Sequence, residues 1–139
     1  MIILYDLLGD EDRRFSPYCW RIRLALAHKG LKSEDIRVGL TDKDKVAFSG
    51  QSLVPVIVDK ANGDKVVNDS WNIACYREQT YPQKPLFGGA MGQGATRLIN
   101  NWAGPGFLVS IGPMVIRDLM DRFRPVDHPY FRESREKRY

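Results

Sequence analysis

Cysteine is nearly absent from this chain of 139 residues: only Cys19 and Cys75 occur, too few for a disulfide framework. Long apolar runs are missing as well. The longest nearly uncharged apolar run, Phe107 to Ile116, ends at Arg117 and is too short to span a bilayer. Met1 passes straight into Ile2-Ile3-Leu4, with Asp6 soon after and no basic leader, so no signal peptide is expected. There is no phosphate-cradling glycine loop and no zinc-ligand spacing. His128, ahead of Pro129, has no partner histidine, and no metal site is expected. A soluble cytoplasmic protein, not a membrane protein, is the resulting expectation.

Hydrophobic residues make up 43% of the chain and charged residues 27%, ordinary globular values that exclude a disordered chain or a coiled-coil rod. Charge is unevenly placed. Residues 1–81 carry 12 Lys/Arg against 12 Asp/Glu, and residues 82–139 carry 9 against 5, so the whole formal charge of +4 lies in the second part. Its densest run, Arg132 to Arg138, is interrupted by Glu133 and Glu136, as on a solvated helix face. Nucleic-acid binding, which would show a basic stripe with interleaved aromatics, is not expected.

Ile2 to Leu8 reads as a buried strand closed by Gly9-Asp10-Glu11-Asp12. Ser16-Pro17 is a helix start, serine at the N-cap and proline at the first turn. Cys19, Ile22 and Leu26 form one apolar stripe, beside Trp20, Leu24 and Ala27, and Gly30 suits the C-terminal cap. A weak strand over Asp35 to Leu40 and a short helix or loop over Asp42 to Phe48 follow. Val54 to Asp59 is a second buried strand with Pro55 at its start. A turn at Ala61 to Asp64 leads into Lys65 to Asn68, and Asp69-Ser70 caps a helix over Trp71 to Tyr81. The order predicts an α/β domain, β-α-β-α-β-β-α, over residues 1–82. Residues 83–94, rich in proline and glycine, read as a linker. Residues 95–139 read as the first helices of an incomplete all-α domain, broken at Gly104-Pro105-Gly106, with no core helix after Phe123. Trp20, Trp71, Trp102 and Cys75 read as core.

Three segments together carry a resemblance. Ser16-Pro-Tyr-Cys19-Trp-Arg-Ile-Arg23 opens a helix, Leu53-Val-Pro55-Val-Ile-Val58 enters a strand, and Asp69-Ser70-Trp71 opens the next helix. In this order they resemble the thioredoxin-like N-terminal domain of glutathione S-transferases, above all the serine-type bacterial members related to the β-etherases, with some likeness to the zeta class. The resemblance is less specific through Asn101-Trp102 and Asp127 to Arg135. It implies a thioredoxin-like fold, glutathione as co-substrate, a homodimer, and attack of glutathione thiolate on a small electrophile, with ether cleavage one form of that reaction.

The same resemblance assigns roles. Ser16 is the implied catalytic residue, its hydroxyl hydrogen-bonding the glutathione sulfur; a helix N-terminus also favours a thiolate. As residues alone, Ser16 reads more readily as a helix cap. Val54 and Pro55, the latter expected cis, would meet the cysteinyl part of glutathione. Asp69 and Ser70 would hold the γ-glutamyl group, although both also suit an N-cap. The family usually has Glu or Gln where Asp69 stands. Lys43 and Lys45 are candidates for the glycyl carboxylate, in a segment that otherwise reads as a solvated loop. Two alternatives stay open. A chain this short could bind glutathione without turnover, as a binding module or inactive remnant. Ser16-Pro-Tyr-Cys19 also differs by one residue from a glutaredoxin motif, and thiol redox chemistry would then depend on Cys19.

Overall fold

The computed structural model describes residues 1–137. Strand β1 (Ile2–Leu7) pairs in parallel with β2 (Ser33–Val38) and antiparallel with β3 (Val56–Asp59). A hairpin then adds β4 (Lys65–Asn68), giving the order β2-β1-β3-β4. Helix α1 (Pro17–Lys29) makes the β1-to-β2 crossover, and α2 (Ser70–Thr80) follows β4. The fold is thioredoxin-like. The segment expected as a second helix is a 3-10 stretch over Lys43–Ser49.

β3 is buried at all four positions, as expected for an interior strand covered on both faces. On one face Ile2, Leu4 and Ile57 pack with Ile22 and Leu26 of α1 and Ile73 of α2. On the other, Val56 and Val38 pack with Val46 of the 3-10 stretch. Burying each such side chain is worth roughly 1.5–3 kcal/mol. β2 starts two residues earlier than expected because Ser33 and Glu34 pair with Ile2 and Ile3 at the sheet edge, a register that hydropathy does not mark.

α1 begins and ends as its sequence dictates. Ser16 Oγ accepts from Cys19 N, Pro17 occupies the first turn, and Gly30 adopts φ 68°, a left-handed conformation that glycine adopts without penalty. Gly30 N donates to Ala27 O and Leu31 N to Leu26 O, closing a Schellman cap. Of its apolar residues, only Cys19, Ile22 and Leu26 are buried. Trp20 and Leu24 are 43% and 63% exposed, because the sheet covers one stripe and nothing in the described chain covers the other. Trp71 and Cys75 are half-buried, and Trp102 is 61% exposed. Trp20, Trp71, Trp102 and Cys75, expected in the core, all lie outside it.

The helical part departs further from expectation. α3 (Ala90–Asn101) starts inside the stretch read as linker and contains Gly92 and Gly94. The expected break at Gly104-Pro105-Gly106 does not occur. A π-helical segment, Trp102–Leu108, joins α3 directly to α4 (Val109–Met120), making one ribbon of roughly 45 Å at the α-helical rise. Proline lacks an N–H and crowds the carbonyl one turn back, and a wider π turn accommodates both defects. Beyond it, Phe123, Asp127 and Phe131 are buried, and Phe131 lies in α5 (His128–Glu136). Phe123 meets Phe15 edge-on, centroids 4.8 Å apart, and Phe131 at 4.6 Å. A helix with one buried apolar residue is thus part of the core. No helix among the described residues is long and apolar enough to cross a membrane.

Candidate active site

Ser16 is buried at the head of α1, held by the loop before it. Arg14 Nη1 donates to Asp6 Oδ2 at 3.0 Å and Arg14 Nε to Asp12 Oδ1 at 3.1 Å. The Trp20 indole donates to Arg14 O at 2.7 Å. Asp6, fully buried in β1, also accepts from Arg23 Nε at 2.6 Å. The Arg14 guanidinium therefore ties the loop, and the Arg23 guanidinium ties α1, to the sheet. The Ser16 cap bond from Cys19 N is long, 3.3 Å, and uses an oxygen lone pair rather than the O–H donor.

Four of the five residues singled out for glutathione converge. Val54, Pro55, Asp69 and Ser70 line one cleft of about 320 Å³, together with Tyr18, Gln51 and Leu53. The Val54–Pro55 bond is cis, as expected. Asp69 sits at φ 66°, ψ 133°, outside the conformations that non-glycine residues favour, at a cost of about 1–3 kcal/mol. Strain of this kind is held in place by surrounding structure and clusters at functional sites. Asp69 Oδ1 accepts from Trp71 N at 3.0 Å and Asn72 N at 3.1 Å, so the cap engages one carboxylate oxygen and leaves Oδ2 outside it. Ser16 does not line this cleft.

A second, apolar cleft of about 390 Å³ lies on the other side of the α1 start, between Phe15, Pro17 and Tyr18 and the ribbon residues Leu108, Ile111, Val115 and Leu119. Tyr18 lines both clefts, and Ser16 lies in the chain between Phe15 and Pro17 of the second. A larger hollow of about 460 Å³ beside α5, lined by Met120, His128 and Arg132, contains none of these residues.

The family model described as glutathione S-transferase, N-terminal domain, matches residues 15–80. The chain is 27% identical to glutathione transferase GSTFuA2 of Phanerochaete chrysosporium, with a TM-score of 0.88 over 99% of this chain and 61% of that one. It belongs to the glutathione S-transferase family. Glutathione S-transferase Z1 of Arabidopsis thaliana is 42% identical over 89 residues, 56% of this chain and 38% of that relative. A glutathione S-transferase of Ceriporiopsis subvermispora, solved in complex with glutathione, has a TM-score of 0.87 and 25% identity over 98% of this chain and 59% of that one. The chain thus spans less than two thirds of the length of these relatives.

Within this transferase-family chain, the lysine candidates lie elsewhere. Lys43 Nζ donates to Tyr130 Oη at 2.6 Å, and Lys45 Nζ pairs with Asp42 at 2.9 Å. Neither lines the cleft. Gln51, which sequence reasoning passed over, is the polar side chain there from that segment; its one signal is its place between the turn at Gly50 and the Val54 strand entry. Tyr18 was equally unmarked, although its position in the first turn after Ser16 and Pro17 points it at the helix head. Cys19 is fully buried. Burial pushes its thiol up to about 12, against the lowering effect of the neighbouring Ser16 hydroxyl, so it is not a nucleophile at neutral pH.

Proposed function

We propose that the protein binds glutathione in the cleft of Val54, Pro55, Asp69 and Ser70 and directs its sulfur toward a small electrophile in the adjoining apolar cleft. The observation that carries this reading is the junction itself: two clefts, one holding the polar side chains of Gln51, Asp69 and Ser70 and one lined by apolar residues, share Tyr18 at the head of α1, where Ser16 lies. Asp69 Oδ2 takes the γ-glutamyl ammonium, while the α2 N-terminus and Ser70 hydroxyl receive its carboxylate. The Val54 backbone pairs with the cysteinyl residue. The Ser16 O–H donates to the sulfur and stabilises the thiolate after its proton leaves to water. The thiolate then attacks the electrophilic carbon; a carbon–sulfur bond forms and the leaving group departs with its electron pair. In ether cleavage that group is an alkoxide or phenoxide, which takes a proton from water.

Glutathione binding without turnover is the second reading. It is favoured by the thin far wall of the apolar cleft, made by a single helical ribbon. Redox chemistry at Cys19 is disfavoured by its burial and raised thiol pKa. A cytoplasmic homodimer is part of the same reading, supported by apolar ribbon residues such as Leu98 and Ile99, 70% and 59% exposed. The test is a glutathione titration followed by resonance shifts, combined with conjugation of an aryl halide. Shifts centred on Val54, Asp69 and Ser70 with turnover support transfer, and the same shifts without turnover support the binding module. Absence of shifts at millimolar glutathione overturns both.

A further inference from the structure

Residues 122–131 are far from the glutathione cleft in sequence and line no part of it, yet they grip the segments that do. Asp127 is fully buried. Its Oδ1 accepts from Thr41 N at 3.0 Å, Thr41 Oγ1 at 2.7 Å and Arg124 Nη2 at 3.1 Å, and its Oδ2 accepts from Arg124 Nε at 2.7 Å. Arg124 Nη2 also donates to Asp42 Oδ1 at 3.0 Å, and Asp42 Oδ2 accepts from Gly39 N at 3.0 Å. The guanidinium lies directly on Gly39, where a Cβ would stand 1.6 Å from Nη2. A side chain pinned by this many bonds has no room to give way. Tyr130 adds its hydroxyl and ring to Lys43, whose Nζ is 4.2 Å from the ring centroid.

The gripped arm, residues 39–53, runs to the cleft. Its middle is set by Val46, buried with Val38 and Val56 in a cluster against which the cleft residue Val54 packs. Its far end is tied by Asn68 Nδ2 donating to Ser49 O at 2.8 Å, one residue before the strained Asp69. Gln51 and Leu53 then line the cleft. The same C-terminal segment braces the loop ahead of Ser16, through Asp10 N to Arg122 O at 2.8 Å and the Phe15–Phe123 contact.

Resting on the glutathione reading above, we propose that Asp127, held by Arg124, is a positioning residue for glutathione: it clamps the near end of the arm whose far end carries Gln51 and Leu53 and leads into Val54. It touches no ligand. A buried carboxylate with paired donors on two separate segments fixes their relative placement more tightly than an exposed ion pair, because losing it leaves buried donors unpaired. The helical part thereby contributes to glutathione affinity without a contact residue.

The test uses the full chain with Asp127→Asn, Thr41→Val and the double variant, reading glutathione affinity, conjugation kinetics and amide exchange. Each single variant should weaken glutathione binding by about tenfold, the value of one such bond. The double variant should lose less than the product, since both cut one link. Any conjugation rate at saturating glutathione should change by less than about threefold, and faster exchange should be confined to residues 39–53. Should Asp127→Asn fail to fold, Tyr130→Phe removes only the hydroxyl on Lys43 and should still speed exchange in the arm. Variants that bind glutathione as the parent does, or exchange that rises equally in α1 and β1, overturn the proposal. A parent chain that binds no glutathione overturns the functional reading instead, and the exchange pattern still decides whether Asp127 holds the arm.

Discussion

Replacing Ser16 by alanine separates the two roles its position permits. As a cap it accepts one hydrogen bond from Cys19 N at 3.3 Å. A serine cap is worth about 1 kcal/mol, and a bond this long places Ser16 at the low end. As a thiolate donor it would supply one charge-assisted hydrogen bond, worth roughly 1.5–3 kcal/mol. With a pKa unit equal to about 1.4 kcal/mol, that lowers the bound thiol by about one to two units from its free value of about 8.5. Ser16→Ala should therefore raise the bound thiol's pKa by that amount and slow conjugation about tenfold to hundredfold at neutral pH. Glutathione affinity should change little, since in the proposed site Val54, Asp69 and Ser70 hold the peptide.

The assay is the ultraviolet absorbance of the thiolate in the glutathione complex, titrated across neutral pH for parent and variant, beside urea unfolding of both. The cap and donor readings predict different pairs of results. A capping-only serine lowers the unfolding midpoint and leaves the thiol titration where it was. A donor moves the titration upward, whatever happens to the midpoint. An unchanged titration in a folded, glutathione-bound variant would refute the catalytic assignment.

Lys29 donates to Glu78 Oε2 at 3.0 Å, Tyr81 O at 2.7 Å and Lys84 O at 3.2 Å from a fully buried side chain; Lys29→Met should cost about 3 kcal/mol in urea unfolding, and a loss under about 1 kcal/mol would contradict the clamp. Burial pushes Asp59 up, but hydrogen bonds from Tyr81, Asn62 and Tyr76 outweigh it and hold the carboxyl below its ordinary value; in Glu78, burial is likewise outweighed by Leu86 N, Lys29 and Phe87 N. Their folded values lie below the unfolded ones, so this stability is full above about pH 4 and lost as pH falls through that region; Tyr81→Phe should flatten the acid limb of thermal stability. Iodoacetamide should modify half-buried Cys75 before Cys19, and Cys19 alkylation as fast as that of a free thiol would contradict its burial.

What was legible in the sequence is what local chemistry dictates. Ser16-Pro17 and Gly30 state the ends of α1, Val-Ile-Val states an interior strand, and Asp69-Ser70 states the head of α2. Each signal is complete within a few residues. The errors fall where the deciding contact is distant. Trp20 and Leu24 lie on a valid helical stripe, but a second stripe is buried only when something packs on it. Gly104-Pro105-Gly106 signals a break locally, while the structure routes the chain through a π turn and buries Gly104 against Tyr18, whose hydroxyl would lie 3.6 Å from an added Cβ. Asp127 reads as a surface acid until Thr41 and Arg124 are beside it. Arg77, buried with its guanidinium 4.5 Å from the Tyr81 ring centroid and no hydrogen-bond partner among the described residues, has no sequence signal at all.

The two clefts differ in how firmly their walls are built, and that difference bears on function. The cleft proposed for glutathione is walled by the entry to β3, the head of α2 and an arm tied at three places, all continuous with the sheet core. The apolar cleft takes one wall from α1 and the other from the ribbon, which meets the first domain through isolated pins: Arg21 Nη1 to Asn100 Oδ1 at 2.8 Å, Gln93 Nε2 to Cys75 Sγ at 3.4 Å, Arg97 over Trp71, and Gly104 on Tyr18. Each pin is worth about 1 kcal/mol or less, whereas a shared core would contribute several buried side chains at roughly 1.5–3 kcal/mol apiece. The width of the apolar cleft is therefore softer than the geometry of the glutathione cleft. On the transfer reading proposed above, a surface that covers the exposed ribbon face would also set that width, and electrophile selection would then depend on that surface as much as on the residues that line the cleft.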